Sequence, residues 1–225
     1  MTDPIRTTLD VLLEILAPLD GRCVLDIGCG RGGLAGPFRA TGAEWRGLEP
    51  FPQAGGAPGI DVAQAEAMPY PSGAFDIAVI VNALHHIPVG GMGDALAEAA
   101  RVIAPEAPLV VIEPRVEGDL SQVIATVDDE TEIRTAAQAA LDAAVGSGVL
   151  TETRAFDYVR REVYDDFDAF VSRISSFAPE RGGLSEDLTE ALRAAFLARA
   201  GREGAAFTLT QPMSARLFRR GPAAG

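Results

Sequence analysis

Residues 22–33 read RCVLDIGCGRGG, and the chemistry of the chain concentrates at the end of that run. A short apolar stretch delivers one acid, Asp26, and then Gly28, Gly30, Gly32 and Gly33. Gly28, Gly30 and Gly33 satisfy G-x-G-x-x-G, a spacing that lets the backbone turn sharply after a strand and approach a ligand closely. Dinucleotide loops of this type receive a pyrophosphate at a helix N-terminus, and an acid about 20 residues further on holds a ribose. Glu49 stands where that acid would. Asp26 argues for a different ligand. Beside a pyrophosphate its carboxylate would put two anions out of water together, whereas a ligand with a cationic end would be welcome. The alternative is that Asp26 ties the loop through backbone hydrogen bonds.

Further along, His85 and His86 are the chain's two histidines, and they directly follow the apolar run FDIAVIVNAL. Either could serve as a base, since imidazole titrates near neutrality, or could shape the loop. No third ligand at zinc-like spacing accompanies them, so no metal site is expected. Arg115 follows Glu113 and Pro114 at the end of another apolar run. It suits a substrate carboxylate or phosphate, or an ion pair with Glu113 or Glu117. Phe156, Tyr158, Tyr164, Phe167, Phe170 and Phe177 gather aromatic content in one region. They read either as walls of an acceptor pocket, with Tyr158 and Tyr164 as candidate contacts, or as core.

The elements that must position these residues alternate. Leu9, Leu12, Leu13 and Leu16 make one apolar helical face over 8–16, which Pro18 ends. Strands are predicted at 22–27, 44–48, 60–64, 75–81 and 108–112. A helix over 34–40 must hold Pro37 in its first turn or be kinked by it, and one over 94–103 has Asp94 as its cap. Residues 50–59, PFPQAGGAPG, form a Pro/Gly-rich loop. Strand–turn–helix repetition of this kind predicts a parallel sheet with helices on both faces and a ligand at the strands' carboxyl ends. Residues 117–146 read as one or two helices inserted after the fifth strand, placed to act as a lid. A strand at 153–163, a helix from 167, a turn at Arg181-Gly182-Gly183, and a helix capped by Ser185 and running to about 199 follow. Residues 206–218 read as a strand pair or bulged strand, because Pro212 cannot donate to a central ladder.

Taken in order, these segments resemble class I S-adenosylmethionine-dependent methyltransferases of the type 11 kind. Residues 24–33 are similar to that family's first motif, and Glu49 falls on its ribose-gripping acid. Residues 65–70 (AEAMPY) with 75–78 resemble the adenine-lining block, and 82–87 (NALHHI) the segment after the fourth strand. Residues 101–103 and 108–112 resemble the helix end and fifth strand that follow. S-adenosylmethionine carries an ammonium and a sulfonium and no phosphate, which accords with Asp26. The resemblance implies a Rossmann-like, mostly parallel seven-stranded sheet with helices on both faces and an antiparallel last strand. It implies S-adenosylmethionine contacts at Asp26, Gly28, Cys29, Gly30, Glu49, Pro50, Gln64, Ala65, Glu66 and Asn82, and a histidine at this place that often shapes the loop, while His85 and His86 are catalytic candidates on the imidazole chemistry given above. Two features depart from the pattern. Gln64 stands where the family often has an aspartate that receives the adenine amino group, and 50–59 is short for the usual crossover helix.

Composition bounds the rest. The 225 residues suit one domain, with 1–115 as the cofactor-binding half and 116–225 as a helical insertion and substrate-side half. A formal charge of −13 disfavours nucleic acid and anionic membrane as partners. Two cysteines make no disulfide framework, MTDPIRTTLD is not a secretory leader, and no apolar stretch is long enough to span a bilayer. The expectation is a cytoplasmic methyltransferase acting on a small molecule. The alternative is a non-catalytic domain that binds S-adenosylmethionine or its product and regulates a partner. An NAD-dependent dehydrogenase is disfavoured by Asp26. Oligomeric state is not legible.

Overall fold

The computed structural model describes residues 3–52, 54–177 (backbone only at 175–177) and 184–222. The expected Arg181-Gly182-Gly183 turn and the Phe177 side chain lie outside them. The chain divides into two compact units, one of Thr8–Glu113, Ile133–Asp157 and Ser214–Gly225, the other of Met1–Thr7, Pro114–Glu132 and Tyr158–Met213.

The first unit carries the predicted alternation. It runs α1 (Thr8–Leu16), β1 (Cys23–Ile27), α2 (Ala35–Ala40), β2 (Glu44–Leu48), β3 (Ile60–Asp61), β4 (Ile77–Val81), a 3-10 turn (Leu84–His86), α3 (Val89–Val102) and β5 (Pro108–Pro114). Then come α4 (Asp119–Ile124), α5 (Thr131–Gly146), β6 (Leu150–Tyr164), α6 (Phe167–Phe177), α7 (Glu186–Arg199), β7 (Gly201–Glu203) and β8 (Ala206–Arg220). The strand order is β3-β2-β1-β4-β5-β8-β6, with β7 added against β8. β1 pairs parallel with β2 and β4, β2 with β3, and β4 with β5, while β7 runs antiparallel to β8. Parallel strands covered on both faces need continuous apolar sequence, and Val24, Leu25, Val79, Ile80 and Val110 are fully buried.

Several elements depart from the sequence expectation, each for a local reason. α3 begins at Val89 behind Pro88, five residues before Asp94. Three glycines in its first turns hide it, and the Glu66 side chain packs close against Gly91. A Cβ at that position would lie 2.7 Å from Glu66 Oε1. β3 stops at Asp61 instead of reaching Gln64. Residues 206–220 form one long strand despite Pro212, and the short partner β7 supplies the expected pairing. No helix lies between β2 and β3 among the described residues, as the Pro/Gly content of 50–59 requires.

α5 also corrects an expectation. Ala137, Leu141 and Ala144 are buried in one cluster with Leu96 and Ala99 of α3 and with Leu109 and Val111 of β5. It is a crossover helix of the first unit's core, so 117–146 does not behave as one lid. In the second unit, Leu120, Tyr164, Phe167, Phe170, Leu192, Phe196 and Leu209 form a separate core. Ser185 caps α7 as expected, its hydroxyl accepting from Leu188 N at 3.3 Å. Because α5 carries core, Leu141→Ala should lower the unfolding free energy by about 2–4 kcal/mol in urea titrations, and a loss below about 1 kcal/mol would return α5 to the surface.

Candidate active site

β1, β2 and β4 end side by side, and their first residues beyond the strands build the site. Gly28 N and Cys29 N both donate to Leu48 O, at 2.8 and 3.2 Å, which folds the glycine loop over the end of β2. Gly28 has φ +69 and Gly30 has φ +54, a region that favours glycine. A Cβ on Gly28 would meet the Ala83 Cβ at 2.5 Å, so this glycine also permits close approach to the turn after β4. At Gly30 such a Cβ would meet open space, leaving the loop's outer edge free for a ligand. Glu49 closes the loop: its Oε2 accepts from Gly30 N at 2.9 Å and its Oε1 from Phe51 N at 3.1 Å.

Asp26 is buried at the end of β1, and its Oδ2 accepts from the indole Nε1 of Trp45 at 3.2 Å. The tie runs to a side chain of β2, where the sequence reading had offered backbone groups of the loop. Burial raises the Asp26 carboxyl to about 7; the indole bond pulls it down, and the Glu49 charge pushes it further up. Cys29 is raised to about 12 by burial and by the neighbouring Asp26 and Glu49, so its thiol stays neutral and packs beside Gly47.

At the end of β4, Asn82 has φ +51, unusual for a residue with a side chain. Its N–H donates to Ile112 O at 2.8 Å, but its buried Oδ1 has no hydrogen-bond partner. The turn beyond it is held by Glu113, itself 1% exposed at the end of β5. Glu113 Oε1 accepts from Ala83 N and Leu84 N, at 3.1 and 2.9 Å, and Oε2 pairs with His85 Nδ1. His85 is thus buried and bound inward, while the adjacent His86 is exposed.

On the β3 side, Ala65 is buried, Glu66 and Pro50 are half-buried, and Gln64 is exposed. This segment is clamped from α3. Met68 N donates to Glu98 Oε2 at 2.8 Å, and Arg101 donates to the carbonyls of Tyr70 and Met68 at 2.7 and 3.1 Å. In the second unit, Arg115 is exposed and pairs with Glu117 at 3.4 Å, the ion pair weighed as the alternative. Tyr158 and Tyr164 are buried, and Tyr164 stacks edge-on to Phe170 at 5.2 Å within an aromatic core. Phe167 and Phe170 are buried in the same core.

Sequence reasoning missed Trp45, Glu113, Glu98 and Arg101. A lone tryptophan in a strand signals core, and only the neighbouring strand's register reveals that it faces Asp26. Glu113 did carry a signal, as an acid ending an otherwise apolar strand.

The raised Asp26 makes stability fall with pH. The unfolded carboxyl ionises near 3.9 and the folded one near 7, so the folded state binds the extra proton between them. Stability from this group is complete below pH 4 and lost by about pH 7. Asp26→Asn, without ligand, should therefore gain on the natural chain in melting temperature as pH rises from 4 to 8, by at least ~3 °C. A constant difference across that range would show that Asp26 is not the titrating group.

Comparison with known proteins follows the same lines. Residues 25–111 match the family model described as a methyltransferase domain. No match was found among curated proteins. Among solved structures, a protein regarded as a methyltransferase from Bacillus halodurans C-125 is 16% identical, with TM-score 0.63 over 96% of this chain and 99% of that one. A protein regarded as a type II methyltransferase from Anaeromyxobacter dehalogenans is 23% identical, with TM-score 0.57 over 98% of both chains. Geranyl diphosphate C-methyltransferase from Streptomyces coelicolor A3(2), in complex with Mg2+, geranyl diphosphate and S-adenosyl-L-homocysteine, is 14% identical. Its TM-score is 0.51 over 91% of this chain and 77% of that one. Residues 25–111 thus match a methyltransferase domain, and the chain shares its fold with solved methyltransferase structures.

Proposed function

We propose that the chain transfers the methyl group of S-adenosylmethionine to a small organic acceptor. The observation that carries the cofactor half is Asn82. A buried carbonyl oxygen without a donor costs about 1–3 kcal/mol, and this one lies in the turn that meets Gly28. An ammonium group would satisfy it, and the nearby Asp26 favours the same charge. Glu49 has lone pairs beyond those given to Gly30 and Phe51, which suit ribose hydroxyls. Gly28, Cys29, Gly30 and Pro50 would supply backbone along the ligand, and Gln64, Ala65 and Glu66 the adenine edge. The exposed Phe51 and Val62 flank that edge, in keeping with a compressed crossover. The acceptor half rests on the formal charge of −13, which repels a phosphate backbone. We place the reaction in the cytoplasm, where the free thiols of Cys23 and Cys29 persist. No helix among the described residues is long and apolar enough to cross a membrane.

When bound, S-adenosylmethionine supplies an electrophilic methyl carbon, which the acceptor's lone pair takes in line as the carbon–sulfur bond breaks. The chain's own residues position and desolvate. His85, locked to Glu113, holds the turn that carries Asn82. His86 is the exposed neighbour able to take a proton from an acceptor that must lose one. Arg115, exposed in the second unit, suits an anionic group on the acceptor.

Incubation with methyl-tritiated S-adenosylmethionine and pools of small amines, phenols and carboxylic acids, beside tRNA, DNA and protein pools, tests the proposal. Label should enter a small-molecule pool only. Tight binding of the cofactor with no label in any pool would leave the non-catalytic regulatory reading in its place. Glu49→Ala should weaken S-adenosylhomocysteine at least ~10-fold by calorimetry, as the loss of charge-assisted bonds requires. His86→Asn should lower kcat about 100-fold with the cofactor KM unchanged, and an unchanged kcat would remove His86 from the chemistry.

A further inference from the structure

Asp26 sits opposite Gly47 in the parallel register of β1 and β2, and Trp45 sits opposite Val24. The indole therefore has to reach along the sheet face, past position 47, to deliver its N–H to Asp26. Only glycine at 47 lets it. A Cβ there would lie 2.6 Å from Trp45 Cη2 and 2.5 Å from Cys29 Sγ. Gly32 makes the matching gap from the loop side, where a Cβ would lie 3.0 Å from the same ring carbon. Arg39 of α2 fixes the ring from outside. Its guanidinium stands 5.1 Å from the ring centroid and donates to Pro58 O at 2.6 Å. Trp45 is 6% exposed, and Gly32 of the glycine loop, Arg39 of α2 and Gly59 of the 50–59 loop all meet it.

We infer that Trp45 is a positioning residue for the cofactor, whose indole N–H holds the Asp26 carboxylate oriented and ionisable at the cationic end of the ligand. The inference rests on the reading that Asp26 faces that end. The charged and titratable groups around Asp26 are few. Glu49 follows β2, Cys29 stands in the loop with a neutral thiol, and Arg39 lies against the indole, while β4 offers Val79 opposite. Glu49 opposes ionisation and the indole N–H favours it. A ligand ammonium would favour it further, so binding would expel a proton wherever Asp26 still holds one. Affinity then rises with pH through the Asp26 midpoint. Without the indole donor that midpoint moves up.

The test is calorimetric titration of the full chain with S-adenosylhomocysteine from pH 5.5 to 9, in the natural protein, Trp45→Phe and Asp26→Asn. The ligand's own ammonium titration is common to all three and cancels. The natural protein should gain about 10-fold in affinity between pH 6 and 8, and Asp26→Asn should lack that gain. Trp45→Phe keeps an aromatic ring and loses the donor, so its midpoint should lie about one pH unit higher, with affinity recovering toward the natural value at pH 9. Trp45 is the chain's single tryptophan. Should Trp45→Phe fail to fold, biosynthetic replacement by benzothienylalanine removes the N–H with the ring shape kept, and the same shift is expected. Affinity reduced by one constant factor at every pH, or an unshifted midpoint, overturns the inference and leaves Trp45 as packing. A pH-independent natural protein matched by Asp26→Asn instead overturns the reading of Asp26 itself.

Discussion

A carboxylate taken out of water must be met by donors, since the loss of hydration exceeds what apolar contact returns. The site is organised around two such groups, Glu113 and Asp26, each ending a parallel strand and each almost wholly buried. Glu113 is answered in full by the chain. Two backbone N–H groups and His85 converge on it, and they come from one short turn. That convergence fixes the turn after β4, places Ala83 against Gly28, and leaves Asn82 in the left-handed region just before it. A catalytic-looking histidine is thereby drawn inward, and its exposed neighbour is left facing outward.

Asp26 is answered only in part, by one indole N–H, with Glu49 adding repulsion. The contrast separates an acid whose bonds are made within the chain from one that, on the function proposed above, would meet a ligand. Both occupy equivalent places at strand ends, and sequence alone gives them the same look: an acid closing an apolar run. What differs is the supply of donors, which depends on the turn each one meets. Asn82 Oδ1 adds a second unanswered acceptor in the turn that packs on Gly28. On the function proposed above, Asn82 Oδ1 and the partly answered Asp26 would both favour a cation.

Much of this was legible in the residues. The alternation of strand and helix, the parallel core strands and the glycine loop follow from periodicity and from the conformations that only glycine adopts freely. Glu49 at its distance from the loop was legible too, and it does close the loop on Gly30. The boundaries were harder. α3 was hidden because glycines that serve close packing, such as Gly91 against Glu66, carry the same letters as glycines that serve turns. α5 looked like a polar insertion because alanine buries without looking apolar in a mixed sequence, although Ala137 and Leu141 are core. Tyr164, Phe167 and Phe170 could be read as pocket or as core, and packing within their own unit decides for core. Trp45 and Arg101 were invisible as site residues. Their roles arise from partners on other elements, Asp26 and the Met68 and Tyr70 carbonyls, and pairing between elements leaves no local trace.

The partial answer given to Asp26 has a thermodynamic consequence that ties stability to function. The free energy that the folded, ligand-free chain spends in holding this acid near neutrality is not lost when a cation arrives. On the function proposed above it would reappear as affinity, because the ligand would bind the ionised form and relieve the same desolvation. Satisfying Asp26 with further protein donors would steady the fold and leave the ligand nothing to neutralise. Leaving it with no donor would keep it protonated and uncharged when the ligand comes. One indole N–H lies between these limits, and the room for it comes from glycine at positions 32 and 47. The glycines of this region thus serve twice, bending the backbone of the loop and making space for the side chain that donates to Asp26.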